Sequence, residues 1–347
     1  MHAANNIEND LFTCLNAGEL SDDAFSEVAL RIFKHQYSNN PAYGNYCDAL
    51  GVSPESITEW QEIPALPTDA FKFPETPVVS FPHSRTTRTF LTSGTTTERK
   101  GAHHFQSLKL YETSVRQMWQ TLNIGKTSSA IFLTPSPDRA PQSSLSHMMG
   151  VLEPLVAEQS SWIHTDQGLD IEILTKLASA GKSIALFGTA LSFLELFDRL
   201  DKHLELSHGS YAMETGGYKG SHRQLEKSEL YSLFDQKLGL NENDVLNEYS
   251  MTELSSQFYS RGLGKTHDSP AWTRIRVIDP STGIDAAKGF PGYLAIYDLA
   301  NFQSVMAIQT QDIAIAHDDR SFTLLGRDPS ALPRGCSRSA DAQYASS

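Results

Sequence analysis

The chain has 347 residues, 39% hydrophobic and 20% charged, a balance typical of a soluble globular protein with a large core. Its 41 acidic and 28 basic residues give a net charge of −13, which argues against nucleic acid or an anionic membrane as a partner. Three scattered cysteines, a polar amino terminus and the lack of an apolar run near ~20 residues predict no disulfide framework, secretory signal or membrane span. We therefore expect a cytoplasmic protein.

The first 62 residues are predicted to form helices. Apolar residues recur at helical spacing between Leu11 and Phe33, and Ser21 is placed to cap the second helix. The polar residues on or near the end of that helix are interpreted as a solvated C-terminal turn: Arg31, Lys34, His35, Gln36 and Tyr37. A proline-rich connector at 63–67 then leads to short strands at 78–81 and 87–91.

Buried strands and helices alternate from residue 108 onward, which predicts an α/β layered fold. Helices are predicted at 108–122, around 145–152 and at 191–200, and strands at 130–133, 183–188, 210–217 and 245–253. From residue 273 to 326, short strands separated by turn residues predict a β-rich section, interpreted as a distorted barrel. We expect three parts: an N-terminal helical segment at 1–62 packed on the core, a catalytic domain at 63–326, and a tail at 327–347.

A hydroxyl-rich loop follows the strand predicted at 87–91, at an edge where open α/β sheets bind ligands. The loop reads Thr92-Ser93-Gly94-Thr95-Thr96-Thr97-Glu98-Arg99-Lys100-Gly101. Hydroxyls, amides and cations of this kind suit the phosphates of a nucleotide, although the spacing is not that of a Walker loop. By composition alone a Ser/Thr-rich surface turn is the favoured interpretation, so a role in phosphate binding depends on the motifs that accompany the loop.

Three later segments accompany the loop in a fixed order: Gly216-Gly217, Asn247–Glu253, and Thr310-Gln311-Asp312 with Gly326-Arg327. Together the four resemble the motifs of the adenylate-forming enzymes, the superfamily of acyl-CoA ligases, luciferases and adenylation domains. Longer stretches, among them 214–220, 247–259 and Pro333-Arg334-Gly335-Cys336-Ser337, resemble the acyl-protein synthetase (LuxE-like) branch over about residues 63–337. The resemblance implies the large-domain fold of those enzymes.

The superfamily's usual C-terminal mobile domain, which carries a catalytic lysine, is expected to be missing. Only 20 residues follow Arg327, and none of them is a lysine. Adenylation is then expected to rely on the main domain, with cations such as Arg99, Lys100 or Lys219 neutralising the phosphates.

The resemblance implies that a carboxylic acid, with a fatty acid as the first expectation, reacts with ATP and Mg²⁺ to give an acyl-adenylate and pyrophosphate. The acyl group would then move to Cys336 as a thioester and on to a partner such as an acyl reductase or acyltransferase. Arg334 can stabilise a thiolate and Gly335 allows movement, whereas a lone tail cysteine is otherwise inert. The alternatives are transfer to coenzyme A, an amine or a carrier protein, and a non-catalytic scaffold for a reductase.

The resemblance also implies roles for individual residues. The phosphate loop would act through Thr92, Ser93, Gly94, Thr95, Thr96 and Lys100. The adenosine and α-phosphate would contact Gly216, Gly217, Tyr249, Ser250, Thr252, Asp312 and Arg327. Glu253 would hold Mg²⁺. At three motif positions where the superfamily usually has glycine, this sequence has another residue: Thr97, Ser250 and Gln311.

His147 and Lys219 are the candidate substrate-binding residues. His147 lies on a predicted helix beside Met148 and Met149, where it would line the acyl pocket or pack in the core. Metal ligation by His103, His104 or His147 is not expected. Each acidic candidate also has a structural interpretation, as a turn residue or a helix cap.

Overall fold

The computed structural model describes residues 2–92, 99–216 and 225–328. In these ranges the helices are α1 His2–Asn16, α2 Asp22–Asn39, α3 Pro41–Ala49, α4 Lys109–Thr121, α5 Ser144–Val156, α6 Glu172–Ser179, α7 Ala190–Arg199 and α8 Lys227–Leu238. The strands are β1 Leu66–Pro67, β2 Arg88–Leu91, β3 Ala102–Phe105, β4 Thr127–Phe132, β5 Ala157–Trp162, β6 His164–Thr165, β7 Gly168–Leu169, β8 Ile184–Thr189, β9 Tyr211–Thr215, β10 Val245–Tyr249, β11 Phe258–Arg261, β12 His267–Asp268, β13 Thr273–Ile278, β14 Gly292–Asp298, β15 Ala307–Ala316 and β16 Ser321–Arg327.

One large sheet organises the part of the chain that the structure describes. Its order is β13-β14-β15-β16-β12-β11-β10-β9-β8-β4-β5, and β1 pairs with β15. Strands β10, β9, β8, β4 and β5 run parallel to one another. Strands β11 to β16 pair antiparallel along the sheet, and the short β1 pairs in parallel with β15. The predicted α/β fold with a β-rich final section is confirmed, and β12 joins that section to the main sheet.

Helices cover both faces of the parallel strands. Phe132 and Phe187 point into one hydrophobic core, which they share with α4 and α5. Their neighbours Ile131 and Leu186 point into a second core with α6, α7 and α8. Successive strand residues face opposite sides of a sheet, so these apolar runs bury both faces.

The interpretation of Gln36 as part of a solvated C-terminal turn is wrong. Helix α2 continues to Asn39, and the Gln36 side chain is fully buried. Its Nε2 donates to the carbonyls of Asn301 and Phe302 at 3.1 and 3.0 Å, and its Oε1 accepts from the Met306 N–H at 3.0 Å. Gln36 follows Ile32 by about one helical turn and therefore lies on the same buried face of the helix. Because glutamine is polar, the sequence did not indicate this position as part of the core. The predicted Ser21 cap is confirmed.

The strand predicted at 78–81 is also wrong. This segment instead lies against the loop before β15, where the Ser80 N–H donates to the Gln303 carbonyl at 2.9 Å and the Ser80 hydroxyl to the Ser304 carbonyl. Strands β3, β5 and β11 and helices α6 and α8 were not predicted. Strand β5 was missed because its sequence, AEQSSW, is mostly polar. The strand lies at a sheet edge and is largely exposed.

Helices α1, α2 and α3 share one hydrophobic core with α4, α5 and the β-rich section. The division after residues 62 and 326 stays a prediction. Across the described ranges, no helix is both long and apolar enough to cross a membrane.

Replacing Gln36 with leucine should lower the free energy of unfolding by about 2–4 kcal/mol, because two carbonyls and one N–H would lose their buried partner. Urea unfolding of the purified variant measures the change. Lys34→Leu, at an exposed position of the same helix, is the matched control and should change stability by less than about 0.5 kcal/mol. Equal effects of the two substitutions would contradict a structural role for the buried amide.

Candidate functional site

A cavity of about 340 Å³ lies where β9 and β10 end, and the β15–β16 hairpin forms part of its wall. A cavity of this size is within the range of small-molecule sites. Seven of the residues predicted from the sequence line it: Thr92, Gly216, Tyr249, Ser250, Glu253, Asp312 and Arg327. Residues from four distant segments therefore meet at one place.

Tyr249 and Asp312 are joined directly. The Tyr249 hydroxyl donates to Asp312 Oδ2 at 2.8 Å, and the tyrosine ring packs edge-on against Phe322. The Asp312 N–H donates to Thr310 Oγ1 at 3.1 Å, which fixes the backbone at this point of β15. Asp312 pairs with Arg327 across the hairpin, so the carboxylate and the guanidinium come from adjacent strands.

The segment that carries Thr252 and Glu253 is anchored through its backbone. Asn301 Nδ2 donates to the Glu253 carbonyl at 2.9 Å, and His103 Nδ1 donates to the Thr252 carbonyl at 2.8 Å. Burial lowers the pKa of His103 to about 3, so the ring is neutral and serves as a fixed donor. Glu253 lies on the cavity wall, whereas the Thr252 hydroxyl is buried 3.3 Å from Ser144 Oγ and is not part of that wall.

The hydroxyl-rich loop is closed at its base. The Thr92 N–H donates to the Gly101 carbonyl at 2.8 Å, and the Gly101 N–H donates to Thr92 Oγ1 at 2.7 Å. The loop joins β2 to β3 in a two-stranded hairpin, which corrects the expectation that it lies on the edge of an open sheet. Lys100 is exposed and does not line the cavity. The predicted phosphate ligands Ser93, Gly94, Thr95 and Thr96 lie outside the described residues.

Gly216 ends β9 at the cavity with φ +73, a left-handed conformation that favours glycine. His147 lies apart from the cavity wall, with its Nε2 3.2 Å from Glu112 Oε1 and its ring against Phe90 and Tyr111. Burial lowers the pKa of His147, and Glu112 acts in the opposite direction. Gly217, Lys219 and Cys336 lie outside the described residues.

Several polar residues of the cavity wall were missed from the sequence. Lys227 Nζ lies 2.9 Å from Oε1 of Glu214, whose side chain is fully buried and also contacts Asn247 Nδ2 at 2.8 Å. His267 reaches Asn247 Oδ1 at 2.9 Å from β12. Lys227 and His267 lie outside every recognised motif, so only the fold brings them to the site. Glu248, in contrast, stands inside the segment 247–253.

Glu248 is 2% exposed and forms part of the cavity wall. Its Oε2 accepts a hydrogen bond from the Thr215 hydroxyl. Burial raises the pKa of Glu248 to about 7, and the charge of Glu214 acts in the same direction. The hydroxyls of Ser250 and Thr215 lower it, but less than burial raises it.

Within the ranges that the structure covers, no three His, Cys, Asp or Glu side chains gather as a metal cluster. Glu253 therefore belongs to no such cluster, although Glu248 and Asp312 also line the cavity. Mg²⁺ is commonly held by one or two carboxylates together with substrate phosphates, and a single buried carboxylate fits that pattern.

Residues 10–344 match the family described as acyl-protein synthetase, LuxE. A Vibrio harveyi protein named long-chain-fatty-acid–luciferin-component ligase is 21% identical over 313 residues, 85% of this chain and 79% of that protein. A 2-hydroxyisobutyryl-CoA ligase, solved in an open conformation with 2-HIB-AMP and CoA, has a TM-score of 0.67 at 14% identity and covers 90% of this chain and 71% of its own. ATP-bound MatB from Rhodopseudomonas palustris has a TM-score of 0.52 at 16% identity over 72% of this chain and 49% of its own.

The structural likenesses establish the fold of the adenylate-forming enzymes. The family match covers nearly the whole sequence, so the chain belongs to the LuxE acyl-protein synthetase family. The resemblance inferred from the motifs is confirmed, and so is the prediction of an AMP-forming ligase.

Glu248 should give stability a measurable pH dependence. Its pKa is about 7 in the folded protein and 4.5 ordinarily, so between these values the folded state binds more protons than the unfolded state. Its contribution is therefore complete below about pH 4.5 and is lost as the pH rises through 7. We expect the free energy of unfolding of the wild type minus that of Glu248→Gln to fall by roughly 3 kcal/mol from pH 4 to 8. Urea unfolding across that range measures it, and a pH-independent difference would contradict it.

Proposed function

We propose that this protein activates a carboxylic acid with ATP, releases pyrophosphate and transfers the acyl group to its own Cys336 as a thioester. The single observation that carries the proposal is the meeting of Tyr249, Asp312, Arg327 and Glu253 around one cavity. The catalytic unit would be residues 63–326, with 1–62 packed on it and 327–347 as the tail. A cytoplasmic location would supply ATP and keep the thiol reduced.

Nucleotide binding would use both members of the Tyr249–Asp312 pair. The tyrosine ring would stack on adenine, and the Asp312 carboxylate, oriented by the Tyr249 hydroxyl at 2.8 Å, would accept both ribose hydroxyls. Gly216 would let the backbone approach the base. Arg327, whose Nη2 donates to Gln311 Oε1 at 2.7 Å, would contact the ribose or a phosphate.

The first step forms the mixed anhydride. A carboxylate oxygen of the acid would attack the α-phosphorus of ATP while the bond to the pyrophosphate oxygen breaks. Glu253 would hold Mg²⁺, which neutralises phosphate charge when bound. The hydroxyl-rich loop that starts at Thr92 would hold the departing pyrophosphate, with Ser93, Gly94, Thr95, Thr96 and Lys100 as its proposed contacts.

The second step needs a thiolate, and the cysteines of the described ranges are unsuited to it. Cys14 and Cys47 are buried among the N-terminal helices. Burial raises the pKa of Cys14, and it raises that of Cys47 to about 11, so both are protonated at neutral pH. Cys336 would supply the sulfur that attacks the acyl carbonyl, with AMP as the leaving group. A partner such as an acyl reductase or acyltransferase would then remove the acyl group.

Asp312→Asn should raise the KM for ATP about 10- to 100-fold, because a charged acceptor for the ribose hydroxyls becomes neutral. ATP–pyrophosphate exchange measures this with the best acid from a panel of fatty, aryl and short hydroxylated acids. Asp201→Asn, at an exposed position, is the control and should leave KM unchanged. An unchanged KM in Asp312→Asn would contradict the ribose assignment.

Cys336→Ala should abolish the hydroxylamine-labile acyl label formed from radiolabelled acid and ATP, while pyrophosphate exchange continues. Cys14→Ala is the matched control and should keep the label. Labelling of Cys336→Ala would exclude that cysteine as the acceptor. Turnover of Cys336→Ala with coenzyme A, an amine or a carrier protein would favour the alternative ligase, and a lack of exchange with every acid would favour a non-catalytic scaffold.

A further inference from the structure

Glu248 leaves one of its oxygens without a partner at the cavity wall. The Thr215 hydroxyl donates to Oε2, and the Ser250 hydroxyl also acts on this carboxyl group and lowers its pKa, but Oε1 has no partner at hydrogen-bond geometry among the residues whose positions the structure gives. An unpaired polar atom at a site that is 2% exposed is costly, because burial removes the water that would otherwise hydrate it. In a site that binds a ligand, such an atom marks a group that the ligand completes.

The position of Glu248 separates it from the proposed nucleotide site. Glu248 and Tyr249 are successive residues of β10 and therefore face opposite sides of the sheet. Tyr249 turns toward Asp312. Glu248 instead lies directly opposite Tyr259 of β11, whose ring packs edge-on against Trp119 of α4. The unpaired oxygen is thus on the face that α4 and α5 cover.

The same face carries a second unpaired oxygen and an apolar part of the cavity wall. Tyr259 Oη is buried and, within the described ranges, has no hydrogen-bond partner. Burial raises the pKa of Tyr259, and the negative charge of Glu248 raises it further, which indicates that the two groups are close. Leu145 of α5 and Thr215 line the cavity together with Glu248, whereas Tyr259 lies behind that wall. A plain alkyl chain would pack against Leu145 but would leave the carboxyl group of Glu248 unpaired.

We propose that Glu248 determines acid specificity and that the preferred substrate is a hydroxylated carboxylic acid whose hydroxyl bonds Oε1. A hydroxyl group can donate to a carboxylate and can accept from a carboxylic acid, so it pairs with either form of Glu248. The inference rests on the proposed acid activation and adds its substrate class. Sites that bond a substrate hydroxyl discriminate strongly against analogues without it, since the protein group is then left unpaired.

ATP–pyrophosphate exchange with matched acids tests the inference. Each unsubstituted acid of a chain-length series is compared with hydroxylated acids of the same length, with the hydroxyl next to the carboxyl end, mid-chain or terminal. We expect at least one hydroxylated acid to exceed its unsubstituted partner in kcat/KM by about tenfold or more. Glu248→Leu should remove that preference by lowering the value for the hydroxylated acid, while the unsubstituted acid keeps or gains activity.

Glu248→Gln keeps a polar group of the same size and should retain part of the preference, which guards against a Glu248→Leu variant that fails to fold. Tyr211→Phe is the matched control, because it removes a buried, unpaired hydroxyl at the start of β9, away from this cavity, and should leave the preference intact. Two results would overturn the inference and leave acid activation standing. One is that the wild type uses unsubstituted acids as well as hydroxylated acids or better, and the other is that Glu248→Leu loses equal activity with both acids. No exchange with any acid would overturn both.

Discussion

The buried carboxylate of Asp298 is the interaction on which the site depends. It is fully buried at the end of β14 and accepts hydrogen bonds from the N–H groups of Ser255 and Ala300, each at 3.0 Å, and from the Ser256 hydroxyl at 2.7 Å. Burial raises its pKa to about 6 even with these donors. Because a buried carboxylate is tolerated only with several donors, the segment 253–256 is held to a single arrangement.

This arrangement extends outward to the N-terminal helices. Asn301, three residues after Asp298, holds the Glu253 carbonyl with Nδ2 and the Ser255 hydroxyl with Oδ1. The Asn301 carbonyl in turn accepts from Gln36, and Asn40 Nδ2 reaches the Ser304 carbonyl at 3.2 Å. Helix α2, which contributes nothing to the cavity wall, therefore fixes the turn that positions Glu253. The segment 22–49 thus supports the chemistry by positioning Glu253. This role explains why two side-chain amides, Gln36 and Asn40, are buried there.

The sequence predicts the parts of the fold and site that local pattern encodes. Apolar periodicity identified α2, α4, α5 and α7, and the glycine, aromatic and acidic motifs identified seven residues that line one cavity. It could not identify Gln36 as a core residue, because its partners are backbone groups about 265 residues away. Lys227 and His267 were missed because they lie outside every recognised motif and only the fold brings them to the cavity. His147 was expected either to line the acyl pocket or to pack in the core, and its ring packs against Phe90 and Tyr111 beside Glu112.

The two buried carboxyl groups, Asp298 and Glu248, differ in the hydrogen-bond partners of their oxygens. This difference distinguishes a structural role from a role in substrate binding. Both stand at or near the carboxyl end of a strand, and burial raises the pKa of both. Asp298 has donors on both oxygens, so its energetic cost is offset within the fold. Glu248 differs, because its Oε1, at the cavity wall, has no hydrogen-bond partner within the described residues, whereas its Oε2 accepts from Thr215. The fold, as far as it is described, gives that oxygen no partner, so the partner proposed for it is a group that arrives with the substrate.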